Sequence, residues 1–495
     1  MTELKRPDGI LLTFIFVTSL LLRLLLVIPA GFDGLYGQDP YAYYGYAQQL
    51  IAFTQIGTIP EPFFWPVGYP ALLALSFSLF GIQPIVAQVV TILSGMFLAL
   101  LVYIFGRQLG AGRSGAFSAA VLMSVSGQAL QSSIVIMSDI PALTWSTASA
   151  ITLWRYRQTG NRGWLALATI TLVFAIITRW LYLLLLLPWG IVVLTLWWRT
   201  ARTQWHRVLV DIALVAGIAL LAFAPQIAQS GIAPSSPFDH AWVQGWSLEN
   251  AFRTDFITID GHLSYPQPNA LFYAQPYYHT YFISPVFTLF LFLGIWTILR
   301  KRHWYRATIL LTLATLPYLF LVGIPYQNIR FPLLVFPAVA VLVGFGLEAA
   351  LHWIKARNSL ILAGLGTLVV IGFLHTLSSG IDLAEQFIKN QQRDKAVAAW
   401  VSGQIPETGR LYTFGLTLTL EHYTSLDVVD LYFESPDSLA QQQARENDYL
   451  LVNIYNIETQ WGGYSPQINY DWLRDWRAPE NLGHYGQYTL FRLSR

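Results

Sequence analysis

Between residues 10 and 378 the chain returns repeatedly to apolar stretches of spanning or near-spanning length. No other feature limits the fold as much. A helix needs about 20 apolar residues to cross some 30 Å of hydrocarbon. In lipid every backbone polar group must be bonded internally, so only helices and closed barrels can cross. The stretches fall at 10–29, 84–106, 112–127, 139–155, 163–178, 180–198, 207–227, 281–299, 306–323, 331–350 and 358–378, which makes eleven expected spans. A mean hydropathy of +0.47, with 55% hydrophobic and 11% charged residues, agrees with an all-α polytopic membrane protein. The net charge of +2 points to no partner, and no nucleic acid is expected. The absence of cysteine excludes disulfides and thiolate sites. Lys5 and Arg6 precede the first run, which shows no small-residue cleavage site and reads as a retained helix.

The run 66–82 (PVGYPALLALSFSLFGI) is apolar but opens on Pro and Gly, and counting it as a span would invert everything downstream. Loop charge decides. With the N-terminus inside and 66–82 a surface or re-entrant helix, the inner loops hold Arg107, Arg113, Arg155, Arg157, Arg162, Arg199, Arg202, Arg207, Arg300, Lys301, Arg302, Arg306, Lys355 and Arg357. The outer loops before residue 380 then hold only Arg179, Arg253 and Arg330, the bias that the positive-inside rule expects. The predicted arrangement is a membrane domain over 1–380, in the plasma or inner membrane, with outer loops at 30–83 and 228–280. A small extracytoplasmic α/β domain over 381–495 follows. Alternating strand and helix in that tail predict a largely parallel sheet. Without a phosphate-binding glycine pattern before a helix, no cofactor is assigned to it.

On this topology a few ionisable groups collect at one boundary: Asp39 in YGQDPYAYYGYAQQL, Glu61, Asp139 in SDIPAL, Arg179, Arg330, and His240, His262 and His279 in the large outer loop. Charges at membrane depth are costly and tend to mark sites. Each also has a plainer reading. Asp39 before Pro40, and Asp139 before Ile140-Pro141, suit helix starts. Glu61 suits a solvated loop, the histidines suit ordinary loop contacts, and Tyr41 to Tyr46 suit an interfacial belt. Arg23 either snorkels or pairs with an acid inside the bundle. Together, two acids and two arginines at one boundary suit an anionic lipid-linked substrate and a polar acceptor. Arginine binds phosphate oxygens bidentately, a carboxylate can serve as general base, and aromatics such as Tyr43 and Tyr44 offer faces to a sugar ring. The catalytic candidates are Asp39 and Asp139. The substrate-binding candidates are Arg330, Arg179, Tyr43, Tyr44, Glu61 and His279.

At these residues the chain resembles the GT-C fold membrane glycosyltransferases, which include protein O-mannosyltransferases and the aminoarabinose transferase of lipid A. The resemblance rests on RLLL of the first span, YGQDPYAYYGYAQ, FFWPVGYPALLALSFSLFG, SDIPAL, TRWLYLLLLLPW and IRFPLLVFPAVAVL, in that order. It implies a polyprenyl-phosphate sugar donor, an extracytoplasmic lipid, glycan or protein acceptor, and transfer with inversion. It also implies that Asp39 matches the first-loop acid that acts as base or positions the acceptor, Asp139 a second acid, and Arg330 the cation on the donor phosphate. The chain departs from the pattern at Pro40, where the family often has another acid. It departs again at Pro62, where the aminoarabinose transferase has a lysine beside its zinc-binding acid. The metal is therefore left open: the sequence requires none, and a divalent ion is not excluded. A lipid-linked sugar flippase and a membrane-anchored glycan-binding protein are the competing readings. Against the first, no inverted repeat is evident.

Overall fold

The computed structural model describes residues 6–61, 63–232, 241–300, 304–355, 359–442, 445 and 447–494. Lys5, Pro62, His240, Lys301, Arg302 and Arg357 lie outside this set. The chain divides into two units. The first comprises Met1–Leu35, Ala42–Phe252 and Asn269–Gln386, and the second Tyr36–Tyr41, Arg253–Pro268 and Phe387–Arg495.

The first unit is helical. In chain order it contains α1 (Arg6–Val27), α2 (Gln38–Ile56), α3 (Gly68–Phe80), α4 (Pro84–Gln108), α5 (Arg113–Val125), α6 (Gly127–Ile134), α7 (Asp139–Thr159), α8 (Arg162–Thr178), α9 (Leu186–Ile232), short α10 (Ala241–Gln244) and α11 (Asn269–Tyr273), α12 (Pro285–Arg300), α13 (Trp304–Leu321), α14 (Phe336–Lys355) and α15 (Ser359–Gln404). The first residues of α2 and the end of α15 belong to the second unit. Among the described residues six runs are long and apolar enough to cross a membrane: Arg6–Val27, Pro84–Gln108, Trp180–Gln229, Trp304–Leu321, Phe331–Ile354 and Ser359–Gln404. The sharply bent pair α6–α7 makes a seventh if taken as one span.

The expected count of eleven is therefore not established. The stretches at 180–198 and 207–227 fall on one helical run, broken where Gln204 leaves helical geometry. The stretch at 112–127 forms only the 13 residues of α5, about 20 Å of helix. The stretches at 163–178 and 281–299 form helices of 17 and 16 residues. The run 66–82 becomes α3, whose 13 residues are also too few to cross.

Small residues let these helices approach closely, as is common where lipid replaces water and packing must supply the attraction. A Cβ built on Gly346 of α14 would lie 1.8 Å from the Phe290 carbonyl oxygen of α12, and one on Gly294 would lie 1.9 Å from that of Leu342. Those atoms are backbone and cannot rotate aside. Gly346→Val is therefore expected to lower the unfolding temperature of the purified protein, at a cost of about 1–3 kcal/mol or more for overpacking. Gly190→Ala, where a Cβ meets nothing within 4 Å, should leave it unchanged. A differential scanning measurement on the two variants checks this.

Two polar ties lock α1 to its neighbours. Asp8 accepts from Tyr103 Oη (2.6 Å), Arg107 Nε (3.2 Å) and Arg113 Nη2 (3.3 Å). Near the other end of α1, Arg23 neither snorkels nor meets an acid. It is buried and donates to Ser133 Oγ (2.7 Å), Ser19 Oγ (2.6 Å) and the Ser19 carbonyl (2.9 Å). Hydroxyls and a carbonyl thus satisfy a cation at membrane depth, and the Ser133 bond ties α1 to α6.

The second unit is built on a five-stranded sheet. Its strands follow a small hairpin of β1 (Asp255–Thr258) and β2 (Gly261–Ser264). The sheet contains β3 (Arg410–Thr413), β4 (Asp427–Asp430), β5 (Asp448–Val452), β6 (Pro479–Tyr485) and β7 (Tyr488–Leu493), in the order β4-β3-β5-β7-β6. The expected largely parallel sheet is corrected to a mixed one: β4-β3-β5 run parallel, while β7 and β6 are antiparallel additions. Side chains alternate between two cores, as strand geometry requires. Leu411, Tyr449 and Leu451 pack with Val397, Ala398 and Val401 of α15 on one face. Tyr412, Leu450 and Val452 pack with Ile457 and Leu473 on the other. At the start of β2, Gly261 has φ +87°, and a Cβ there would clash with the Gln460 carbonyl oxygen. His262 N–H donates to that carbonyl (2.7 Å), and Gln460 Nε2 donates to the Asp260 carbonyl (2.9 Å). The hairpin is thereby joined to the sheet unit.

Candidate functional site

The site in the first unit begins with a break. α6 ends at Ile134, the chain runs extended through Val135, and α7 starts at Asp139 after a 116° change of direction. Two hydrogen bonds hold the connecting backbone, and a third ties Gln88 to the loop after α1. Gln88 Nε2 of α4 donates to the carbonyls of Ile134 (2.8 Å) and Phe32 (3.1 Å), and Ile136 N–H donates to the Gly34 carbonyl (3.0 Å). The first turn of α7 is thereby fixed, and with it Asp139.

Two further chain breaks bring the arginines to that point. Arg179 follows α8 in extended conformation and precedes a 3₁₀ turn, Trp180–Leu185, that runs into α9. Arg330 precedes a second 3₁₀ turn, Phe331–Val335, that runs into α14. Arg179 Nη1 donates to Asp139 Oδ2 at 3.0 Å and to Ser138 Oγ at 3.1 Å. Arg330 Nη1 lies 3.6 Å from the same Asp139 oxygen and 3.1 Å from Met137 Sδ, while its Nε donates to Asn328 Oδ1 at 3.2 Å. The Arg179 guanidinium also lies 5.6 Å from the centre of the Phe331 ring. Tyr182 Oη donates to the Asp139 backbone carbonyl (3.2 Å). Asp139 is buried. The trio holds two positive charges and one negative, and Asp139 joins the two guanidinium groups through a single oxygen.

Of the other expected residues, Tyr43 reaches the edge of this cluster. Its hydroxyl is 2.8 Å from Ser138 Oγ. Its ring is buried, edge-on to Tyr69 (5.1 Å) and Phe63 (6.1 Å), so it meets the site through its oxygen and not its face. Tyr44 is buried against Phe77. Glu61 is exposed, and its N–H donates to Gln49 Oε1 (2.9 Å). His279 makes contacts within its own loop: its Nδ1 accepts from Tyr281 N–H (3.2 Å), and burial holds the imidazole below its usual pKa. Asp39 stands in the first turn of α2, half-buried, within the Tyr36–Tyr41 segment of the second unit.

Sequence reading passed over Ser138, Tyr182, Asn328 and Gln88. Two of these carried a signal, because Gln88 is an amide inside an apolar span and Ser138 adjoins the acid. Among the described residues no three His, Asp or Glu side chains gather to hold a metal ion.

A family model, dolichyl-phosphate-mannose-protein mannosyltransferase, matches residues 72–226, a segment that contains Asp139 and Arg179 but neither Asp39 nor Arg330. No curated protein matches the chain. Among solved structures it is similar to ArnT from Cupriavidus metallidurans bound to undecaprenyl phosphate, at a TM-score of 0.65 and 14% identity over 97% of each chain. The apo state of that protein gives a TM-score of 0.64, again at 14% identity and 97% of each chain. The archaeal oligosaccharyltransferase AglB from Archaeoglobus fulgidus, in complex with an inhibitory peptide and a dolichol-phosphate, gives 0.58 at 14% identity, over 98% of this chain and 74% of that one. TM-scores of 0.58 to 0.65 at 14% identity show a shared fold and no more. With the apolar helices it makes this chain an integral membrane protein.

Proposed function

We propose that this chain is a GT-C fold glycosyltransferase that transfers a sugar from a polyprenyl-phosphate carrier to an acceptor outside the membrane. The observation that carries this reading is the Arg179–Asp139–Arg330 trio, set where three helical runs begin. Planar guanidinium groups suit the oxygens of a phosphate, and Asp139 fixes their orientation. The fold adds support, since one solved relative is bound to undecaprenyl phosphate.

In this reading Arg179 and Arg330 hold the donor phosphate. The base is Asp39, assigned on the likeness of its loop to the family's first-loop acid. It takes the proton of an acceptor hydroxyl or amine as the acceptor atom attacks the anomeric carbon. The bond from that carbon to the phosphate oxygen breaks on the opposite face, the configuration inverts, and the polyprenyl phosphate departs as the anion that the two arginines stabilise. Loop charge supports an outer location for this chemistry and for the residues after 380.

The test incubates purified protein with a panel of radiolabelled polyprenyl-phosphate sugars, with and without envelope lipid, glycan and peptide acceptors. Release or transfer of label from at least one donor is the expected result. Failure with every donor would sink the proposal. Translocation of intact donor across liposomes without an acceptor would favour the flippase reading instead.

A further inference from the structure

The end of α7 remote from Asp139 carries a second feature that the transfer reaction does not use. The helix spans 21 residues, about 30 Å at 1.5 Å per residue, so its two ends are roughly one hydrocarbon thickness apart. It stops at Gly160, whose φ is +63°, and α8 begins at Arg162. α9 breaks at the same level. Gln204 has φ −142° and ψ 59°, and the stretch WWRTARTQWHR (197–207) places indoles and cations on either side of the break. An open pocket of about 550 Å³ lies here, lined by Gly160, Arg162, His206, Arg207 and Val210.

The charges in this pocket do not balance within it. Arg162 Nε pairs with buried Asp211 Oδ1 (2.6 Å), whose other oxygen accepts from Tyr156 Oη (2.5 Å). Arg207 donates Nη2 to the Gly160 carbonyl (2.5 Å). Among the described residues no carboxylate stands within ion-pair distance of Arg207. A guanidinium has five N–H donors, and one backbone carbonyl occupies few of them. His206 adds a third nitrogen group, with its ring against Trp205 (3.5 Å). The rim is apolar: Val210 lines the pocket and is itself exposed, Leu209 beside it is exposed, and the indoles of Trp205 and Trp198 are 55% and 69% exposed. A water-soluble anion would have no use for such a rim. Indoles at the level of lipid esters, with cations beside them, are what a membrane interface selects.

We propose that this pocket binds the phosphate of an anionic phospholipid headgroup, with its acyl chains lying against Val210 and the exposed indoles. Arg207 and His206 donate to the phosphate oxygens, while Arg162, already paired with Asp211, adds its charge from the side. The site lies at the opposite end of α7 from the trio and so faces the other leaflet.

The test is native mass spectrometry of the full chain released from detergent after exposure to equimolar phosphatidylglycerol and phosphatidylcholine. The wild type is expected to retain one phosphatidylglycerol in preference to phosphatidylcholine. Arg207→Gln should weaken that retention about fivefold, the loss of one cation near an anionic headgroup. Arg202→Gln, an exposed cation of the same stretch outside the pocket lining, should leave it unchanged. Should Arg207→Gln fail to fold, His206→Glu sets a like charge in the same pocket and is expected to expel the lipid. Equal retention of the two lipids by the wild type would overturn the proposal, as would an equal loss in Arg202→Gln. Displacement of the bound lipid by millimolar glycerol phosphate would overturn the commitment to a lipid over a free phosphate ester.

Discussion

Asp39→Asn is expected to remove about 10²- to 10⁴-fold of the transfer rate, the share that a positioned general base supplies, and to leave the protein inserted and folded. The substitution keeps the size of the side chain and one acceptor oxygen. Asparagine serves a helix start as well as aspartate does, so α2 (Gln38–Ile56) retains whatever capping Asp39 gives it. Binding of the polyprenyl phosphate should be unaffected, because the arginines proposed to hold it are untouched. The measurement is single-turnover transfer from the donor identified in the panel, alongside the unfolding temperature. A variant that transfers at the wild-type rate would remove Asp39 from the mechanism. A variant that loses rate and fold together would reduce it to a helix cap.

Asp139→Ala should produce the contrary pattern, a loss of stability as well as activity. Its carboxylate lies 3.0 Å from Arg179 and 3.6 Å from Arg330, and all three side chains are largely buried. Removing the acid leaves two guanidinium groups facing each other without it. Breaking a buried ion pair in this way costs about 3–5 kcal/mol. The expected readout is a lower unfolding temperature, partly restored when polyprenyl phosphate is added, because the lipid anion replaces the missing charge between the cations. An unchanged unfolding temperature would mean that the trio does not act as a unit. No restoration by the lipid would mean that its phosphate does not bind there.

The gathering of Asp139, Arg179 and Arg330 was readable from the sequence because each is an ionisable group at the edge of an apolar stretch, and the costs of such placement leave few alternatives. The wiring among them was not. That one oxygen of Asp139 serves both arginines depends on Gln88 holding the chain between α6 and α7, a contact 46 residues distant in sequence. Tyr43 carried the wrong emphasis for a similar reason. Its ring was read as a platform for sugar, but packing against Tyr69 and Phe63 closes the face and leaves the hydroxyl. In the second unit β5 (DYLLV), buried throughout, was legible as a strand. β6 (PENLGHY) was not, because it is mostly exposed and carries no apolar alternation. Missing it hid the β6–β7 hairpin that makes the sheet mixed. The span count stays unestablished because periodicity is silent about helix length: 112–127 reads as an ordinary apolar run, yet α5 has only 13 residues.

The trio stands where three helical runs start: α7 at Asp139, the run through Trp180 into α9, and the run through Phe331 into α14. Aligned peptide dipoles give the beginning of a helix roughly half a positive charge. Part of the attraction for an anion is therefore carried by the main chain. It persists whatever side chains occupy positions 179 and 330, so sequence drift at the arginines can retune the grip on a phosphate without erasing the field that draws it in.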